Sequence, residues 1–209
     1  MMTCGRVWRA IIVLVAFFTL TPPSGAAPTP NDYMIVPGER IGLVSLQMSP
    51  SEMMRLLGPP SRVGKEGSIT QYVWRNHKIR VSENADTGTI ANIQTYLIPR
   101  EENRYKTERG VGVGATRQQI GEAYGDDGCG LQNLSGGANL LSYSYLGIFF
   151  QVGTGDPSIP VEFADRVTMI GVGHKLRPDQ GRPDRRSCSE LRWPASAALR
   201  VISNTTQNV

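Results

Sequence analysis

Short patches of apolar and polar alternation, each closed by its own punctuation, organise this chain. The segments Leu46–Gly58 and Val113–Gly125 match without gaps at an offset of 67. Each carries apolar residues at i, i+3 and i+4: Met53, Leu56 and Leu57 in the first, Ile120, Ala123 and Tyr124 in the second. That spacing lines one face of a helix. Ser49 and Thr116 stand at the N-cap with Glu52 and Gln119 three residues on as capping-box partners, and Pro50 takes the first helical position, where its missing N–H costs nothing. Gly58 and Gly125 fall where a left-handed stop is wanted. The pattern predicts two-turn helices over 50–57 and 117–124, too short to stand without a surface to pack on.

The surface follows each helix. Tyr72–Val81 and Tyr143–Val152 align at an offset of 71, and both read as hairpins, within 71–82 and 141–152. With two-residue turns at Asn76-His77 and Gly147-Ile148, Trp74 pairs with Ile79 and Tyr72 with Val81, while Tyr145 pairs with Phe150 and Tyr143 with Val152. Those eight residues form the two core faces. A third strand, 89–98 or 166–172, closes each unit; by Ile93 and Ile170 the offset has grown to 77, an insertion that belongs in the loop from Thr154 to Ala164. A short Val/Ile/Gly stretch, Ile41–Leu46 or Val111–Val113, precedes each helix. The expected fold class is therefore α+β: two tandem repeats, each a helix on an antiparallel sheet of three or more strands. Repeat one spans 27–99 and repeat two 110–173, joined by a charged connector, 100–109; a basic, irregular tail runs from 174 to 209.

The motif apolar-Gly-x-Ser/Thr-x-x-Glu/Gln-x5-Gly, a Tyr/Trp hairpin and a closing strand, repeated from Ile41 to Gly173, resembles secreted beta-lactamase-inhibitor-protein-like (BLIP-like) proteins. It is also similar to the single-copy SmpA/OmlA type of outer-membrane assembly lipoprotein. The resemblance implies a domain that binds another protein through its sheet or hairpin loops. No inhibitory loop aligns residue by residue, and Cys4 precedes the apolar leader rather than following it, so the lipid-bearing cysteine of the assembly lipoproteins is missing from its place.

The leader alters the picture. Arg6 and Arg9 precede an apolar run from Ala10 to Leu20 and then Pro22–Ala27, which reads as a signal peptide, 1–26, cleaved after Ala26. The run is about half the length of a membrane span, so the mature chain has no stable span; an uncleaved anchor is the competing reading. The expected destination is the periplasm or the exterior. There Cys129 and Cys188 most simply pair with each other, with two free thiols as the alternative. A metal site is disfavoured, because His174 has no His or Cys companion at ligand spacing.

Of 209 residues, 22 are Lys or Arg and 18 Asp or Glu, but the surplus sits in the leader and tail, leaving the body slightly acidic. A nucleic-acid-binding body is excluded on that ground. His77 is the repeats' one histidine and lies in a hairpin turn; no nucleophile elbow occurs, and Gly110–Gly114 lacks the strand and acid of a nucleotide loop. No cofactor and no enzymatic activity are expected. Chemistry therefore falls to the sheet faces turned away from the helices. In the expected register Val73, Arg75, Lys78 and Arg80 share that face in repeat one, and Leu146, Phe149 and Gln151 share it in repeat two. One reading has the charges merely solvated and the apolar tip covered. The functional reading is a partner-binding surface with Phe149 and Leu146 as anchor and Arg75, Lys78 and Arg80 as rim. The leading expectation is an exported, non-catalytic protein-binding module, an inhibitor or scaffold; an envelope-assembly factor and an enzyme of unrecognised class are the alternatives.

Overall fold

The computed structural model describes residues 32–125, 130–134, 138–153 and 159–176. The leader, Cys129, Cys188 and the tail beyond Leu176 lie outside the described residues, and with them the expected disulfide.

The chain opens with three short strands, β1 (Met34–Val36), β2 (Arg40–Ile41) and β3 (Val44–Ser45), and then helix α1 (Pro50–Leu57). Four longer strands follow: β4 (Arg62–Glu66), β5 (Ile69–Trp74), β6 (Ile79–Asn84) and β7 (Thr89–Tyr96). After β8 (Lys106–Thr107) come helix α2 (Arg117–Tyr124) and strands β9 (Gly130–Asn133), β10 (Asn139–Tyr143), β11 (Ile148–Val152) and β12 (Val167–Gly173). Both helices are held by reciprocal caps. In α1 the Ser49 N–H donates to Glu52 Oε2 at 2.7 Å and the Glu52 N–H to Ser49 Oγ at 3.3 Å. In α2 the Thr116 N–H donates to Gln119 Oε1 at 2.8 Å and the Gln119 N–H to Thr116 Oγ1 at 3.2 Å.

The expected fold class is corrected. The described chain is mostly β, with twelve strands and two α-helices, and its long strands form one continuous sheet in the order β4-β5-β6-β7-β12-β11-β10-β9 rather than two separate helix-plus-sheet repeats. The reason lies at the third strands. Left apart, β7 and β12 would each expose an edge of unpaired backbone groups. They pair with each other antiparallel, Tyr96 opposite Met169 and Gln94 opposite Gly171, which satisfies both edges and fuses the repeats. Because Gln94 and Gly171 occupy the same repeat position, a pseudo-twofold axis passes between them, and the strand order reads alike from either end.

The small strands build a second sheet, β3-β2-β1-β8, with β8 parallel to β1. The charged stretch 100–109 thus contributes a strand, and Tyr105 and Thr107 are buried. Ile35, Ile41 and Val44 from this sheet, with Leu46 just beyond it, join Met53 of α1, Ile120 and Tyr124 of α2 and the inward residues of the large sheet in one core. Two cross-strand rows run across both repeats on that inner face: Trp74-Ile79-Thr95-Ile170-Phe150-Leu141 and Tyr72-Val81-Ile93-Val172-Ile148-Tyr143.

Trp74 pairs with Ile79 and Tyr72 with Val81 in the first hairpin. In the second, Tyr143 lies opposite Ile148 and Leu141 opposite Phe150, so the turn falls two residues earlier than expected, at Ser144–Gly147. An even slip preserves which side chains face inward. Tyr143, Phe150 and Val152 remain in the core, but Tyr145 moves into the loop and Leu141 and Ile148 enter. Gly147 decides the turn. It sits at φ +73° against Gly38, and a Cβ there would come within 2.5 Å of the Gly173 carbonyl oxygen and 2.7 Å of Gly38 Cα. Lys78 holds the matching left-handed place in the first hairpin, at φ 54°. The corrected alignment also pairs Trp74 with Tyr143, and both do the same work. Trp74 Nε1–H donates to the Gly58 carbonyl and Tyr143 O–H to the Gly125 carbonyl, each at 2.8 Å, tying the C-terminus of each helix to its hairpin.

Candidate functional site

Both helices and the small sheet pack on the inner face of the large sheet, leaving the opposite face as the candidate site. Its central cross-strand row is Arg62-Val73-Arg80-Gln94-Gly171-Phe149-Ser142. One flanking row holds Gln71, Ser82, Asn92 and Gly173, and the other holds Tyr96, Met169, Gln151 and Leu140. Most of these residues are half-buried, as expected of side chains lying flat on a pleated surface.

The five residues singled out from the sequence have different fates. Arg80 lies on the outer face with its guanidinium carbon 5.3 Å from the centre of the Tyr96 ring, a cation–π contact. It makes no ion pair among the described residues. Phe149 is on this face too, but it does not stand up from it: the ring lies over Gly171, where an added Cβ would come within 1.9 Å of the ring's Cζ. Gly171 leaves room in a central strand for that aromatic. Arg75 and Lys78 belong to the hairpin turn rather than to the face; Arg75 is exposed with its N–H donating to Ser61 Oγ at 3.1 Å, and Lys78 Nζ pairs with Glu101 at 3.0 Å. Leu146 turns inward and packs against the core.

Polar satisfaction is poor on this face. Among the described residues, four side-chain polar atoms are buried without a hydrogen-bond partner, and three of them are here: Arg80 Nε, Asn92 Oδ1 and Gln94 Oε1. In folded proteins buried polar atoms as a rule find their partner in the protein or in ordered water. The strands of this face carry more cations than carboxylates. Burial pushes the Tyr96 phenol up, the charges of Arg80 and Arg75 pull it down, and the Glu101 carboxylate pushes it up by a smaller amount. Arg62 and Arg80 are the cations at outward strand positions, and Glu66, at the far corner of edge strand β4, is the single outward carboxylate of the described strands.

Gln71, Asn92, Gln94, Tyr96, Met169 and Leu140 also belong to the face. The alternation of Asn92 and Gln94 with Ile93 and Thr95 marks two of them, since polar residues every second position in a closing strand point away from the core. Among the described residues of the face, no nucleophile is hydrogen-bonded to a base. Among the described residues, no three His, Cys, Asp or Glu side chains cluster as metal ligands, and no helix is long and apolar enough to cross a membrane.

No protein-family model matches the chain, and no curated protein matches it. Three solved structures are similar in part. A DUF4309 family protein from Bacillus subtilis is 15% identical with a TM-score of 0.41, over 66% of this chain and 88% of its own. A cysteine-rich secretory protein from Staphylococcus aureus is 12% identical with a TM-score of 0.39, over 76% of this chain and 55% of its own. An extracellular protein containing an SCP domain from Bacillus anthracis is 8% identical with a TM-score of 0.36, over 63% of this chain and 50% of its own. The chain thus spans about half the length of the latter two, and at TM-scores below 0.5 none of the three assigns it a fold family or a task.

Proposed function

We propose that this chain is an exported, non-catalytic protein-binding module that engages its partner through the outer face of the eight-stranded sheet. The observation that carries the reading is the coincidence on one sheet face, among the described residues, of an arginine without a carboxylate partner and three buried polar atoms without a hydrogen-bond partner in the chain. Polar groups left without a partner in the chain are ones that a bound protein's donors and acceptors can satisfy. The leader supports export to the periplasm or beyond, and the resemblance to BLIP-like proteins supports an inhibitor or scaffold. The unequal halves of the face argue for a specific partner over a generic one.

The test is an affinity capture by the mature protein from an envelope extract, run in parallel with an Arg80→Glu/Phe149→Ala double variant and an Arg55→Ala control on exposed α1. A partner held by the wild type and the control but lost by the double variant supports the reading. A partner held equally by all three removes the outer face as the site.

A further inference from the structure

We infer that the partner presents a carboxylate and an apolar side chain about 14 Å apart, on a polypeptide segment that crosses the strands of the large sheet. The inference rests on the outer face being the binding site and adds what that face selects. The pseudo-twofold axis makes it specific. Positions related by that axis ought to be alike if the two halves were equivalent, and on the inner face they are: Trp74 answers Tyr143, and Ile79 answers Ile148. On the outer face four pairs differ in character, while Ser82 and Gln151 are polar in both halves and Val73 answers Ser142. Arg80 answers Phe149, Gln94 answers Gly171, Asn92 answers Met169 and Gln71 answers Leu140. The first half carries Arg80 with Gln71, Asn92 and Gln94; the second carries Phe149, Met169 and Leu140, with Gln151 as its amide.

The charge of the first half fixes the sign of its occupant. Arg80 is held over Tyr96 with no carboxylate paired to it among the described residues, and Glu101, whose charge reaches Tyr96, is bound to Lys78. A carboxylate is the complement that a planar, fork-shaped donor recognises best. The second half presents Phe149 laid on Gly171, with Met169 and Leu140 in the adjoining row, a shelf for an aliphatic or aromatic side chain. Arg80 and Phe149 lie in the same cross-strand row, three strand spacings apart across β6, β7, β12 and β11. At about 4.8 Å per spacing that is roughly 14 Å, the reach of about four residues of extended chain. Asn92 and Gln94, whose amide oxygens have no partner in the chain, sit on β7 between the two ends, in the stretch that a crossing segment would cover.

Selection of a random peptide library on the full mature protein tests this without knowledge of the natural partner. Wild-type protein should enrich peptides carrying Asp or Glu with an aromatic or aliphatic residue about four positions away. Arg80→Glu should turn the selected charge from acidic to basic, and Phe149→Ala should keep the acidic preference while losing the apolar one. For a selected peptide, Arg80→Gln should weaken binding about tenfold, the loss of one charge-assisted contact. Thermal melts of each variant verify that it remains folded. Enriched peptides with no acidic preference, a consensus indifferent to Arg80→Glu, or no enrichment at all would each overturn the inference. So would binding of heparin or of phosphatidylglycerol vesicles that depends on Arg80 while no peptide is enriched, since the face would then serve an anionic glycan or lipid. If instead the envelope partner depends on the outer face but makes the contact without a carboxylate, the inference fails and the binding-module reading stands.

Discussion

Truncating Trp74 and truncating Phe149 should separate the two faces of the sheet in a single assay. Trp74 is 2% exposed, stacks on Tyr72 with ring centres 6.1 Å apart, and donates its indole N–H to the Gly58 carbonyl. Trp74→Ala removes a large core side chain, which costs about 3–5 kcal/mol, and orphans a helix-terminal carbonyl worth about 1 kcal/mol more. Phe149 is half-buried on the opposite face, its ring covering Gly171. Losing part of the burial of one aromatic costs roughly 1 kcal/mol. Urea melts at equal protein concentration give both values, provided the m-values stay unchanged. The result that refutes the reasoning is a Phe149→Ala loss equal to or larger than that of Trp74→Ala. It would mean that the outer face is covered by another part of the chain, or that β11 is slipped by one residue.

Three further outcomes are expected. Ser49→Ala and Thr116→Ala should each cost about 1 kcal/mol in the same melts, because each removes one side of a formed capping box. The α1 cap should also be acid-sensitive where the α2 cap is not. Hydrogen bonds from Ser49, first from its backbone N–H and then from its hydroxyl, hold the Glu52 carboxyl below its ordinary value. A depressed folded-state pKa stabilises above the unfolded carboxylate's range and loses that contribution as pH falls through the folded value. The stability difference between wild type and Glu52→Gln should therefore shrink between neutral pH and pH about 3, whereas Gln119 titrates nothing and Gln119→Ala should show the same deficit at both. Gly147→Ala should cost more than about 2 kcal/mol, since it combines a left-handed backbone with overlap on Gly173 and Gly38, and Gly58→Ala should cost less, with φ +79° but open space around it; differential scanning calorimetry orders the two.

What could be read from the chain was local. A helix cap is a hydrogen bond between residues three apart, so Ser49 with Glu52 and Thr116 with Gln119 announce themselves in any context. Strand alternation has a period of two, so Trp74, Ile79 and Val81 could be assigned to a core face, and Arg80 and Phe149 to the other, before any partner strand was known. Phe149 survived even a misplaced turn, because the error in the second hairpin was an even number of residues. What required the tertiary structure was the choice of partners. The pairing of β7 with β12 joins Gln94 to a residue 77 positions away, and no window of sequence contains both. Strands of two or three residues, such as β2, β3 and β8, are too short to show a period and exist only because the small sheet packs over the core. The turn at Ser144–Gly147 is set by Gly38 and Gly173 pressing on Gly147, contacts that close only in the folded chain. For the same reason the face was legible in part: alternation put Arg80 and Phe149 on it, but Leu146 was drawn into the core and Phe149 was laid down on Gly171 by neighbours brought from distant strands.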